Sequence, residues 1–239
     1  MPKFKKYIYN IIDHELDIKY YLLGAFISDG CVVLQSQNRK QLSISSVDRD
    51  WIEIIKNYIC KDITINKNKS NCYKITLCQS DFINWFIENG CSSSKSLNVK
   101  FPKIPPQYLN DFIRGCWDGD GSLTYRRKFR IERNSTEIQR HASISSGSLD
   151  FIEKLHTVLL QLDIQNKIRT IKTQTNIIEN RVVEFKNNYY VINITKKIDM
   201  IKLVNTIYYK GNRISMPRKQ LIANNISSDP LLKVTSIIN

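Results

Sequence analysis

The hydrophobic and polar positions of this chain run twice through the same order of elements. Leu22-Leu23-Gly24-Ala25-Phe26-Ile27-Ser28-Asp29-Gly30 and Phe112-Ile113-Arg114-Gly115-Cys116-Trp117-Asp118-Gly119-Asp120-Gly121 are apolar segments that close on Asp-Gly. Each predicts a helix, the first over 18–29. Alternating positions then predict strands near 31–36 and 41–46, joined by the polar turn Gln37-Asn38-Arg39-Lys40. Asp48 reads as the N-cap of a helix through Tyr58, with Trp51, Ile52, Ile54, Ile55, Tyr58 and Ile59 as its apolar face. Strands near 62–66 and 72–78 flank a polar run, and a short helix from Asp81 to Glu88 stops at Asn89-Gly90. The second pass predicts hairpins near 122–146 and 166–195, and helices near 148–161 and 197–209.

Further anchors show that this is a tandem duplication. Leu42-Ser43-Ile44-Ser45-Ser46 precedes Asp50-Trp51-Ile52-Glu53, as Ala142-Ser143-Ile144-Ser145-Ser146 precedes Asp150-Phe151-Ile152-Glu153. Tyr73-Lys74-Ile75-Thr76-Leu77 corresponds more loosely to Tyr190-Val191-Ile192-Asn193-Ile194. Asp29 lies 14 residues before Ser43, whereas Asp120 lies 23 before Ser143, so the second copy has the longer first hairpin. Helices and hairpins in this order give an α+β fold of two pseudo-symmetric αββαββα halves, with helices on one face of each sheet and the other face open. The halves are expected at 1–90 and 107–225. A linker at 91–106, held extended by Pro102, Pro105 and Pro106, joins them, and a tail runs from 226 to 239.

Gly24 and Ser28 stand one helical turn apart, as do Gly115 and Gly119, so each motif helix carries a strip of small residues. Two such strips allow two helix backbones to pack closely. Asp29 and Asp120 then fall in the last turn, with Gly30 and Gly121 expected as left-handed terminators. A carboxylate there faces the negative end of the helix dipole, and two such helix ends packed together add mutual repulsion. A bound cation removes both penalties, so the pair reads as a metal site. Asp118, two residues before Asp120, lies on another face of the helix and reads as a structural acid, a capping group or an acid that supports a ligand, rather than as a metal ligand itself.

Formal net charge is +14, which points to a polyanionic partner such as nucleic acid. The charge gathers on the hairpins. Arg39, Lys40, Lys67, Lys69 and Lys74 lie in the first half, and Arg126, Lys128, Arg130, Lys167, Arg169 and Lys186 in the second. Alternation puts Gln35, Gln37 and Gln41 on one side of their strands, and likewise Arg126, Lys128 and Arg130. Arg and Gln suit bidentate contacts to guanine and adenine edges, while loop Lys and Arg suit phosphates. No apolar run approaches the length of a membrane span, and no secretory signal is visible. The six cysteines show no CxxC spacing, which argues for buried free thiols in a reducing intracellular compartment rather than a zinc site or disulfide framework.

The two motifs resemble the LAGLIDADG signature, and residues 18–225 look like a monomeric, two-motif LAGLIDADG homing endonuclease. Gly115, Asp118, Gly119, Asp120 and Gly121 match the motif closely. In the first copy Gly24, Asp29 and Gly30 match, while Ile27 replaces the inner acid and Ser28 the inner alanine. The resemblance implies motif helices at the interface of two halves, and curved sheets that saddle a long double-stranded DNA site. It implies Mg²⁺ at Asp29 and Asp120, with Mn²⁺ or Ca²⁺ as alternative occupants, and a double-strand break with short 3′ overhangs. It also assigns basic residues that support the water network. Lys95 takes that place in the first half and Lys219 in the second, with Arg213 as the alternative to Lys219. Ser43 and Ser143 fall where a strand residue positions water. Such a chain is intron-encoded or free-standing. The competing readings are an RNA-splicing maturase that binds intron RNA, a non-cleaving regulator on the same scaffold, and a ribosome-associated basic protein.

Overall fold

The computed structural model describes residues 15–34, 40–68, 70–78, 80–92, 95–172, 175–178, 181–184 and 187–228. The first pass runs α1 (Leu16–Asp29), β1 (Gly30–Leu34), β2 (Lys40–Ser46), α2 (Arg49–Ile59), β3 (Asn66–Lys67), β4 (Tyr73–Leu77) and α3 (Ser80–Glu88). After the single helical turn α4 (Lys95–Asn98) and a 3-10 turn at Pro106–Tyr108, the second pass begins with α5 (Leu109–Asp120). It continues through β5 (Gly121–Arg130), β6 (Ser135–Ser146), α6 (Leu149–Gln161), β7 (Lys167–Ile171), β8 (Thr175–Ile178), β9 (Arg181–Glu184), β10 (Tyr189–Ile194) and α7 (Lys197–Ile207), and α8 (Pro217–Ser228) follows. The αββαββα order is therefore present in both passes, with the β8–β9 hairpin inserted in the second.

Two four-stranded antiparallel sheets form, ordered β1-β2-β4-β3 and β5-β6-β10-β7. Their registers repeat residue for residue. Gly30 pairs with Ile44 and Ser43 with Thr76. In the copy, Gly121 pairs with Ile144 and Ser143 with Asn193. The duplication read from the sequence thus survives in the hydrogen-bond ladder. A one-residue slip would turn every buried strand residue outward, which is why two diverged copies keep one register.

Packing divides the chain into two units. One holds the first-pass elements, Pro102–Gly119 and the segment Ile207–Gln220; the other holds Ser96–Phe101, Asp120–Thr206 and the residues from Leu221. Within the first unit, Val32, Leu42, Ile44, Ile75 and Leu77 face Trp51, Ile52, Ile55 and Ile59 of α2 and the aromatic residues of α3. In the second unit, Leu123, Ala142, Ile144, Ile192 and Ile194 are buried with Phe151, Ile152, Leu155 and Leu159 of α6. The amphipathic spacing of α2 and α6 places these residues on one stripe.

Several local expectations are corrected. Gly30 does not adopt a left-handed terminator; its φ is −77° and ψ 159°. Gly121 likewise lies outside the positive-φ glycines. Both motif helices pass straight into a strand, so the requirement at Gly30 is space: a Cβ there would overlap the Phe26 carbonyl oxygen and sit 2.9 Å from the Phe26 ring. Gly90, at φ 108°, is a true left-handed stop. Asp48 occupies the N-cap position of α2 but gives it no side-chain hydrogen bond, because Arg218 takes both carboxylate oxygens at 3.0 Å. Its counterpart Ser148 does cap α6, accepting from Phe151 N at 3.3 Å. The strand expected near 62–66 reduces to Asn66–Lys67, and Pro217–Ser228 forms a helix that the sequence pattern did not single out. The cysteines are free, but only Cys91 and Cys116 are buried, and Cys31 and Cys78 are exposed. Among the described residues no helix is long and apolar enough to cross a membrane.

Candidate nucleic-acid interface and catalytic acids

The motif helices meet through their glycines. A Cβ on Gly24 would overlap the Phe112 carbonyl oxygen and lie 2.7 Å from Cys116 N; one on Gly115 would overlap the Tyr21 carbonyl oxygen and lie 2.9 Å from Ala25 N. Backbone rests on backbone, so no side chain larger than hydrogen fits at either position. One turn on, Ser28 Oγ donates to the Cys116 carbonyl oxygen at 3.1 Å, and the space a Gly119 Cβ would take is filled by the Ser28 side chain. Asp29 Oδ2 lies 3.5 Å from that same point. Asp29 is half-buried at the end of α1, and Asp120 is exposed at the end of α5.

Asp118 is a structural acid, as its helical position implied. It is fully buried and accepts from Tyr21 Oη at 2.7 Å, Tyr208 Oη at 2.6 Å and Met216 N at 2.7 Å. Trp51 Nε1 completes the chain by donating to Tyr21 Oη at 2.7 Å. Burial pushes the Asp118 carboxyl up from its ordinary range, opposed by the hydrogen bonds it accepts. Its counterpart in α1 is the buried Ile27, which needs no such donors. Asp118→Ala strands two phenolic hydroxyls and one backbone N–H, and is expected to cost about 3 kcal/mol of stability. Urea unfolding measures this, and a loss under about 1 kcal/mol would show that water replaces the carboxylate.

The segment from Ile207 to Gln220 is strapped across the motif helices by buried cations. Arg114 donates to the Ile214 carbonyl at 2.8 Å, the Ile207 carbonyl at 2.9 Å and Asp111 at 2.7 Å. Arg213, the alternative basic residue, is engaged with Glu15 and Asp17 on the surface, and its guanidinium holds the Asp17 carboxyl below the usual range. Lys219 is 4% exposed. Its Nζ donates to the carbonyls of Trp117 at 2.8 Å, Asp118 at 2.6 Å and Gly119 at 3.2 Å. Lys219 thus reaches the last carbonyls of α5, the turn that carries Asp120. Lys95 opens α4, and its side chain lies outside the described residues, as do Gln35, Gln37, Arg39, Lys69 and Lys186.

Strand register sorts the remaining basic residues by face. In the second unit, Arg126, Lys128 and Arg130 alternate with the core-facing Leu123, so they share the face away from the helices. Lys167 pairs with Asn193 and Arg169 with Val191, which puts both on that face as well. Ser122, Thr124, His141 and Asn193 join them; the sequence reading passed over these four, although alternation from Leu123 and Ile192 marks them. His141 Nε2 and Asn193 Oδ1 lie 2.9 Å apart. In the first unit, Gln41, Lys74, Ser43 and Thr76 face away from the helices. Lys40 does not: it shares the face of Leu42 and donates to Asn84 of α3 at 2.7 Å. Lys67, opposite Tyr73, also falls on the helix side, with Nζ 5.5 Å from that ring. Ser43 is buried, with Oγ 3.5 Å from the Cys31 carbonyl.

A family model for a LAGLIDADG-like domain matches residues 17–89 and again 107–208. The chain belongs to the LAGLIDADG-like family. The two matched stretches are the two passes of the fold, each beginning at a motif helix. This LAGLIDADG-like chain is similar to the LAGLIDADG homing endonuclease I-SmaMI bound to cleaved DNA, with a TM-score of 0.56 at 10% identity over 89% of this chain and 92% of that one. It is also similar to the meganuclease I-AabMI bound to uncleaved DNA, with a TM-score of 0.55 at 14% identity over 87% and 88% of the two chains. Both likenesses establish the fold. Among curated sequences it is 28% identical over 207 residues to a probable translation initiation factor IF-2 of Methanocaldococcus jannaschii, and 26% identical over 188 residues to an uncharacterized protein of the same organism. Those matches cover 82% and 74% of this chain, but it spans just 16% and 61% of the two relatives' lengths.

Proposed function

We propose that this chain is a site-specific DNA endonuclease of the homing type, cutting both strands of a long target to leave short 3′ overhangs. The observation that carries the reading is the glycine-to-glycine contact of two helices that each end in an aspartate and lead directly into a sheet with a polar, basic face. Those faces, with Gln41, Lys74, Arg126, Lys128, Arg130, Lys167 and Arg169, are the surfaces we assign to duplex DNA. The solved structures of the same fold are described as bound to DNA, which supports the assignment.

The donor set fits a hard divalent cation such as Mg²⁺. Among the described residues there is no cluster of three or more His, Cys, Asp or Glu side chains. A single carboxylate per motif, with phosphate oxygens and water completing the shell, is a set Mg²⁺ accepts. When bound, the cation would lower the pKa of water and offset charge on the departing 3′ oxygen. Asp29 and Asp120 are the residues that would each offer it a carboxylate. We further read the chain as intracellular, intron-encoded and acting as a monomer.

The test is cleavage of a randomised duplex library in Mg²⁺ beside the Asp29→Asn/Asp120→Asn double variant. Discrete cuts by wild type alone support the endonuclease. Tight binding to structured intron RNA without DNA cuts would favour a maturase on the same scaffold. Binding should also be steeply salt-dependent: with about six phosphates neutralised, affinity falls about 10³-fold between about 50 and 200 mM salt. A flat response in a filter-binding titration would remove the basic faces from the interface.

A further inference from the structure

The family resemblance gives Lys219 a place in the water network, but its surroundings point elsewhere. An ammonium has three N–H donors. Lys219 directs Nζ to three consecutive carbonyl oxygens, at 2.8, 2.6 and 3.2 Å, which belong to Trp117, Asp118 and Gly119. These are the carbonyls of the last turn of α5, where a helix leaves acceptors without partners and carries partial negative charge. The next residue is Asp120. No left-handed glycine closes this helix, since Gly121 enters β5 directly, so backbone capping is replaced by a side chain supplied from about a hundred residues away. The lysine is itself held: its neighbour Arg218 grips Asp48, and Met216 N binds Asp118.

We infer that Lys219 is a positioning residue for Asp120, fixing the end of α5 from which the aspartate reaches a cation, rather than a group that exchanges protons with water. This rests on the endonuclease reading for its chemistry, though the fixing of the helix end does not. The geometry assigns Lys219 two separable effects. The charge adjusts the electrostatics at Asp120, and the three hydrogen bonds immobilise the carbonyls on which its backbone rests.

Lys219→Met keeps the stem and removes the donors; Lys219→Arg keeps the charge. Three readouts decide. Hydrogen exchange at the amides of residues 117–121 should accelerate in Lys219→Met, while exchange in α2 stays at the wild-type rate. The Mg²⁺ concentration giving half-maximal cleavage should rise by about 10- to 100-fold, the range typical of lost support to a metal ligand. Cleavage at saturating Mg²⁺ should return towards wild type, with the pH–rate profile keeping its shape. Lys219→Arg should fall between the two.

A rate deficit that saturating metal does not relieve, together with loss of one limb of the pH profile, would overturn the inference in favour of proton transfer by Lys219. Unchanged exchange at 117–121 would overturn it also. General destabilisation would show itself as accelerated exchange in α2 and equal loss of DNA binding, and would likewise count against it. A wild-type chain that cuts no DNA would defeat the endonuclease reading instead, and the exchange experiment would still settle whether Lys219 fixes the helix end.

Discussion

Asp120→Asn is expected to lower double-strand cleavage by about 10³-fold or more while specific DNA binding persists. Asparagine preserves the shape of the side chain and removes its charge, and a neutral amide oxygen is a poor ligand for a hard cation. Asp120 is exposed at the end of α5, so the substitution disturbs no buried packing. The binding faces assigned to DNA lie on the strands and do not include it. Asp29→Asn should act in the same direction, and where the two strand cuts uncouple it will leave a nicked product on a supercoiled plasmid. Gel assays of cutting, with affinity measured in Ca²⁺, separate the two functions. A variant that keeps its fold but no longer binds its target would show that Asp120 serves recognition, and would overturn its assignment to chemistry.

Gly115→Val should be the most damaging single change to the fold. A Cβ alone would overlap the Tyr21 carbonyl oxygen and press on Ala25 N at 2.9 Å, and both of those are backbone atoms inside a helix. Relief requires the two motif helices to separate. That would loosen the Ser28–Cys116 hydrogen bond and the Tyr21–Asp118 contact, which depend on the same approach. Overpacking of this kind costs about 3–5 kcal/mol, comparable to the whole stability of many domains. Urea unfolding monitored by tryptophan fluorescence reports it directly, since Trp51 and Trp117 are buried within the same unit. A loss below about 1 kcal/mol would mean that the helices slide past one another cheaply, against the close-packed interior seen here. Leu221→Ala, on an exposed side chain, is the comparison expected to change stability by under about 0.5 kcal/mol.

Both aspartates stand where a motif helix ends, and the chain reaches that arrangement with different means in each copy. In α1 the position of the inner acid is Ile27, which simply packs. In α5 it is Asp118, which collects three donors, one of them from the Ile207–Gln220 segment. One motif helix is therefore seated by apolar burial and the other by a hydrogen-bonded hub. This explains how the looser first motif can still build its half of the helix pair.

Periodicity by itself determined most of the architecture. The recurrence of Gly24 and Gly115, of the Ser43 and Ser143 strands and of the Trp51 and Phe151 helices named the duplication, the αββαββα order and the close helix crossing. These are short-range patterns, and burial of one face enforces them locally. Alternation also placed Arg126, Lys128 and Arg130 on the face away from the helices. What the tertiary structure decided were partners distant in sequence. Asp48 has an N-cap residue's identity and position, yet its carboxylate goes to Arg218, 170 residues on. Lys40 reads as the end of a polar turn but opens β2 and donates to Asn84. Gly30 and Gly121 look like left-handed stops, whereas Gly30 is required by its closeness to Phe26 and both lead into strands. Lys219 carries no local sign that it reaches the carbonyls before Asp120. A hydrogen bond or ion pair across the chain is chosen by which groups the completed core brings within about 3 Å, and no periodicity in the sequence encodes that distance.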